Sequence, residues 1–223
     1  MDPVARFTQL VATADPPLDE CALLIAATRN RHVDVAEQLA LLDALAAECP
    51  GTTLGALRRY LFRELGFHGN TDNYYAHANS YLDEVLAHRT GIPITLGIVL
   101  VELGRRIGIG LSIVGLPGHV VVGVDDRPGT FVDAFHDGAL LDVEGCAVLL
   151  ERIRGPYGDF DPAWLAPLDH QAVMLRVLAN IKAIALQDND RDTLAWVQRL
   201  RCAVPGVPAS EYRELARFLS HLN

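Results

Sequence analysis

Apolar residues recur at helical spacing over the first third of the chain. LDECALLIAATRN (Leu18–Asn30) and DVAEQLALLDALAAEC (Asp34–Cys49) each carry a stripe wide enough for a core helix. Asp34 suits an N-cap and Pro50 a stop. TLGALRRYLFRELG (Thr53–Gly66) continues the pattern with Leu54, Leu57, Leu61 and Leu65, and its final glycine suits a left-handed cap. A polar, Asn- and Tyr-rich stretch then begins at Phe67, longer than most connections in compact domains. Asn79 and Ser80 read as caps for a short helix, Tyr81–His88. From Pro93 to Ile107 the stripe of Leu96, Val99, Leu100, Leu103 and Ile107 predicts a helix made for burial, with Pro93 tolerated in its first turn.

The period then changes from helical to extended. LSIVGL, HVVVGV and TFVDAF are β-branched and aromatic runs separated by Pro117-Gly118 and Arg127-Pro128-Gly129, which predicts an antiparallel meander. DVEGCAVLLERIR (Asp142–Arg154) returns to helical spacing. A Gly- and Pro-containing segment, 155–167, reads as a linker, so the chain divides into a domain at 1–154 and a C-terminal helical segment at 168–223. VMLRVLANIKAIALQ, TLAWVQRLRCAV and SEYRELARFLSHL supply the helices of that segment, at least one hairpin. The fold class is α+β.

Charge narrows the partners. Nineteen Lys and Arg against 28 Asp and Glu give a formal net charge of −9 over 223 residues, which opposes a phosphate backbone; nucleic acid is not expected. The start MDPVARFTQL lacks a basic flank and an apolar run, and no apolar stretch is long enough to span a bilayer, so a cytoplasmic protein without a membrane partner is expected. The four cysteines lie far apart with no CxxC spacing and read as small buried apolar residues.

Candidate chemistry sits on the meander. A buried helix followed by a strand bearing His119 and a strand bearing Asp133 has the order of a Cys–His–Asp site, in which the thiol lies at the helix N-terminus. A hairpin around Asp125–Gly129 places His119 and Asp133 within about one residue of register. His119, Asp133, His136 and Asp142 match no zinc spacing, so neither a metal nor another cofactor is expected.

At these residues the chain resembles a known family. The elements LFRELGFHGN, NSYL, RTGIPI, PGH and VDAFHDG, spread in order over about Ala22 to Leu141, resemble the SirB-like branch of the transglutaminase-like superfamily. The C-terminal helices resemble, more loosely, that branch's tetratricopeptide-type tail. The resemblance implies a transglutaminase-like (papain-like) core. It matches His119 to the catalytic His and Asp133 to the Asp, and it puts the nucleophile position at Pro93 or Ile94, where there is no thiol. Transglutaminase, protease or amidase activity by the usual route is thereby put in question.

The implied function is a former catalytic cleft that binds a peptide or small molecule. An enzyme using His119 and Asp133 for acid–base chemistry, with Thr95, water or the substrate as nucleophile, is the alternative. A third reading is a scaffold whose C-terminal helices hold a protein partner. Thr95 is the nearest hydroxyl to the missing thiol, although a helical Thr commonly bonds a carbonyl one turn back. Asn79, Glu84, Arg89 and His136 are candidate ligand-binding residues, and Cys146 on an apolar helix face is expected to be inert.

Overall fold

The computed structural model describes residues 2–155 and 160–220, so part of the expected linker (156–159) and the end of the last expected helix (221–223) lie outside the described residues. A helix that periodicity does not announce comes first: α1 (Pro3–Val11) buries only Phe7 and Val11, and Asp2 caps it by accepting from the Ala5 N–H at 3.1 Å. Nine residues are too few for an apolar stripe to stand out. The expected helices follow as α2 (Leu18–Arg29), α3 (Val35–Ala47) and α4 (Leu54–Arg59). Asp34 caps α3 by accepting from the N–H groups of Ala36 and Glu37. α4 runs into a π-helical turn, Tyr60–Glu64, and the chain leaves it at Gly66 with φ of 75°.

Two residues at each end of the polar stretch pair in parallel as β1 (His68–Gly69) and β2 (Thr90–Gly91), clamping the loop between them. Inside it lies α5 (Leu82–His88), but Asn79 and Ser80 do not cap it. The N-cap is Tyr81 and makes no side-chain cap bond. Asn79 lies in a 3₁₀ turn, His77–Ser80, and its amide is used across the loop, donating to the carbonyls of Asn73 and Tyr74 and accepting from Asn70 Nδ2. An Asn that can bond its neighbours' backbone locally need not serve the following helix.

α6 (Pro93–Arg106) is the axis of the molecule, buried without interruption from Pro93 to Gly104. The meander packs on it and has one strand more than expected: β3 (Leu111–Val114), β4 (Val121–Val124), β5 (Phe131–Asp133) and β6 (Ala139–Leu141), antiparallel in chain order. Both faces of β4 are buried. Val122 and Val132 join the apolar cluster around α6. Val121 and Phe131 point the other way, into a smaller cluster with Cys146 and Leu149 of α7 (Val143–Arg154). Such a strand reads as a continuous apolar run because it has no wet side.

Three helices complete the chain: α8 (His170–Gln187), α9 (Arg191–Ala203) and α10 (Ala209–Ser220), each packed on its neighbour in sequence. Val173, Met174, Val177, Leu178 and Ile181 of α8 belong to the same apolar cluster as α2 and α6. The Leu168 N–H donates to Ile113 O at 2.8 Å and ties the start of α8 to β3.

Candidate functional site

β3 and β4 are joined by Gly115-Leu116-Pro117-Gly118-His119-Val120. Proline fixes one corner of the turn and Gly118, at φ of 83°, takes the left-handed corner that a side chain would strain. The His119 N–H closes the turn on Leu116 O at 3.1 Å. His119 therefore precedes β4 rather than starting it. The β4–β5 register pairs Val122 with Val132 and Gly123 with Phe131, which sets Val121 opposite Asp133. His119 is two residues away from that partner, not within one, and it is the turn before β4, outside the strand register, that carries its ring to the face bearing Asp133.

On that face His119 Nε2 lies 3.1 Å from Asp133 Oδ1, with both side chains buried. Oδ2 of the same carboxylate is 2.7 Å from Nδ1 of His136, whose ring is half exposed. The backbone N–H groups of Phe135 and His136 also donate to Oδ1, at 3.1 and 3.3 Å. Burial pushes the Asp133 carboxyl up, but the hydrogen bonds and charges of His119 and His136 outweigh it and hold the group below its ordinary value. An ionised carboxylate only accepts, so Nε2 of His119 and Nδ1 of His136 carry the hydrogens. His119 Nδ1 has no hydrogen-bond partner among the described residues. Phe135 stands edge-on to the His119 ring with centroids 6.1 Å apart.

A cavity of about 90 Å³ opens beside His119, lined by Tyr74, Pro93, Ile94, Arg176 and Asn180 among others. Pro93 and Ile94 are the first two residues of α6. The thiols lie elsewhere. Cys146 is fully buried between α7 and the sheet, and burial pushes its thiol up to about 12. Cys21 is equally buried in α2, also at about 12.

The structure brings His119, Asp133 and His136 together and sets the other candidates apart. Thr95 is buried in the first turn of α6, where its hydroxyl donates to Asn79 O at 2.7 Å and accepts from the Ile92 N–H at 3.2 Å. Thr95 and Asn79 thus fasten the polar loop to the helix. Glu84 pairs with Arg29 at 2.6 Å and with His88 at 3.3 Å. Arg89 closes α5 at φ of 57° and donates to Leu65 O.

Tyr74, Arg176 and Asn180 escape sequence reading. The last two had a signal: they are polar, four residues apart, and interrupt an otherwise apolar stretch of α8. His119, Asp133 and His136 are also the residues that could hold a metal ion, with one ligand atom from each lying within 4.8 Å of the others. The same distances suit two imidazole N–H groups bonded to one carboxylate.

The family model that describes the transglutaminase-like superfamily matches residues 22–179, a span that takes in His119, Asp133 and Arg176. The chain is 35% identical over 214 residues to a UPF0162 protein of Xylella fastidiosa strain 9a5c, covering 86% of this chain and 73% of that protein. A UPF0162 protein of Vibrio cholerae is 30% identical over 163 residues, 70% of this chain and 58% of its own length. F-box only protein 21 of Homo sapiens is 31% identical over 112 residues, 46% of this chain and 18% of that protein. No solved structure matches. Among the described residues, no helix is long and apolar enough to cross a membrane.

Proposed function

The chain belongs to the transglutaminase-like superfamily, and from that premise we propose that it is a binding protein that uses the superfamily's catalytic cleft without a cysteine nucleophile. Its ligand is a peptide or small molecule seated beside His119. The observation that carries the reading is the cavity wall: Pro93 and Ile94, at the start of α6, occupy the place the resemblance gives to the thiol, and they face the same cavity as His119. A prolyl ring and a sec-butyl side chain have no lone pair to offer a carbonyl carbon. The nearest hydroxyl on the helix, that of Thr95, is already engaged by a carbonyl.

The rest of the apparatus remains suited to recognition. An ionised Asp133 fixes the His119 tautomer and leaves Nδ1 for a ligand. The finer assignment to the SirB-like branch is supported by NSYL, RTGIPI, PGH and VDAFHDG, and the tetratricopeptide-type tail by the successive packing of α8, α9 and α10. The test is to screen the full chain against ester, amide and small-metabolite panels, reading both turnover and binding by ligand-observed NMR. Binding that weakens at least tenfold in His119→Ala, with no turnover, is expected. Reproducible turnover that disappears in His119→Ala makes the protein an acid–base catalyst and overturns the proposal.

A further inference from the structure

Arg176, Asn180 and Tyr74 of the cavity wall each have a donor to spare, whereas His119, with its hydrogen on Nε2, offers only a lone pair at Nδ1. Arg176 Nη2 donates to Leu116 O at 2.8 Å and to His119 O at 2.9 Å. These two bonds leave three of the five guanidinium N–H groups without an acceptor among the described residues. No carboxylate of the described residues forms an ion pair with Arg176, and burial pulls its guanidinium below the ordinary arginine value. Asn180, one helical turn further along α8, has no hydrogen-bond partner among the described residues, and neither does the Tyr74 hydroxyl. The one carboxylate nearby, Asp133, is engaged by His119, His136 and two backbone N–H groups.

We propose that this cavity is a carboxylate subsite, in which Arg176, with the Asn180 amide and the Tyr74 hydroxyl, receives the carboxylate of the ligand while His119 meets the atoms next to it. A guanidinium that is partly desolvated and lacks a counter-charge is a costly group to keep, and a carboxylate matches its planar fork with two acceptors. One cation balances one negative charge. A phosphate dianion would bring a second charge near Asp133 and exceed that balance. The inference rests on the proposed cleft at His119 and adds the chemical class of its ligand.

Two sources share this chemistry: a free small acid and the carboxy terminus of a peptide. The probes are N-acetylglycine and tri-alanine, each paired with its carboxamide, titrated into the full-length chain and followed by chemical-shift changes. At least one acid is expected to bind about tenfold or more tightly than its amide, the scale of a charge-assisted bond. The tighter acid identifies the source. Arg176→Gln is expected to abolish the preference for acid over amide, while Arg176→Lys keeps part of it. If Arg176→Gln fails to fold, Asn180→Leu, which leaves the carbonyl bonds of Arg176 in place, is expected to weaken acid binding several-fold.

Equal binding of acid and amide, an unchanged preference in Arg176→Gln, or no binding of either acid at millimolar concentration overturns the carboxylate subsite. Acid binding that requires Arg176 but is indifferent to His119→Ala leaves the subsite standing and overturns the cleft reading instead.

Discussion

Two imidazoles and two backbone N–H groups converge on the oxygens of Asp133, and this decides what single substitutions do. Asp133→Asn keeps the shape but loses the charge and presents an N–H to one imidazole. A loss of ~1–3 kcal/mol of stability is expected. The folded carboxyl sits below its unfolded value of 3.8, so its contribution is complete above that value and is lost as pH falls through the lower, folded-state value. The gap between parent and variant, measured by denaturant unfolding, therefore closes as pH falls below about 5 and the carboxyl takes up its proton; a gap that persists or grows below that pH contradicts the pair.

The thiols are expected to be bystanders. Replacing all four cysteines with Ala shifts the thermal midpoint by a few degrees at most per buried site and leaves ligand affinity unchanged. Loss of ligand binding on Cys146→Ala alone, in a folded protein, overturns the site assignment. His119 and Asp133 were legible chiefly through the PGH and VDAFHDG elements of the family resemblance, with a turn signal and β-branched runs beside them. Arg176 was not, because its partners are carbonyls sixty and 57 positions away, and carbonyls leave no mark in a sequence.

At the scale of elements, what the chain announces is what has an apolar period. α2, α3, α6 and α7 fall where spacing puts them, within the residue or two by which helix ends vary. β1 and β2, two residues each, have no period to show, and β6 pairs through its backbone while Leu140 stays exposed. The link between β3 and β4 carries a constraint visible only in three dimensions. A Cβ on Gly115 would stand 2.5 Å from Arg176 Nη1 and 2.7 Å from Leu168 Cδ1. Gly115→Ala is therefore expected to displace the guanidinium and cost ~1–3 kcal/mol. It should weaken the binding of carboxylate probes more than that of their amides. An unaltered midpoint and an unaltered preference would show that Arg176 has room to give way.

For the whole molecule, the boundary expected near 155–167 meets an apolar core that continues across it. Phe7, Leu23, Leu100, Val122, Met174 and Leu178 lie in one cluster, and His170 Nδ1 and Gln171 Nε2 reach the carbonyls of Pro16 and Thr13 ahead of α2. Gly and Pro in sequence mark a change of direction; whether few contacts cross that point is a separate property. Removing the chain after Leu165 uncovers the α2 and α6 side chains that α8 covers. The expected product lacks a cooperative thermal transition, and a truncated chain that unfolds in one sharp step with a near-parental midpoint would establish an independent N-terminal domain. The charge of −9 and the antiparallel meander follow from sequence, but which helix closes over the His119 turn does not.

The bonds from Arg176 to the turn before β4 also set an order of events in the making of the protein. His119 and Asp133 leave the ribosome well before α8 does. At about 5–20 residues per second, the sixty residues between Leu116 and Arg176 take roughly 3–12 s to add. For that interval the carbonyls of Leu116 and His119 have no Arg176 to accept from, and the α8 wall of the cavity has not been made. A ligand that needs Arg176 has no seat on such a chain, so occupancy of the cleft reports a polypeptide that has been extended past α8.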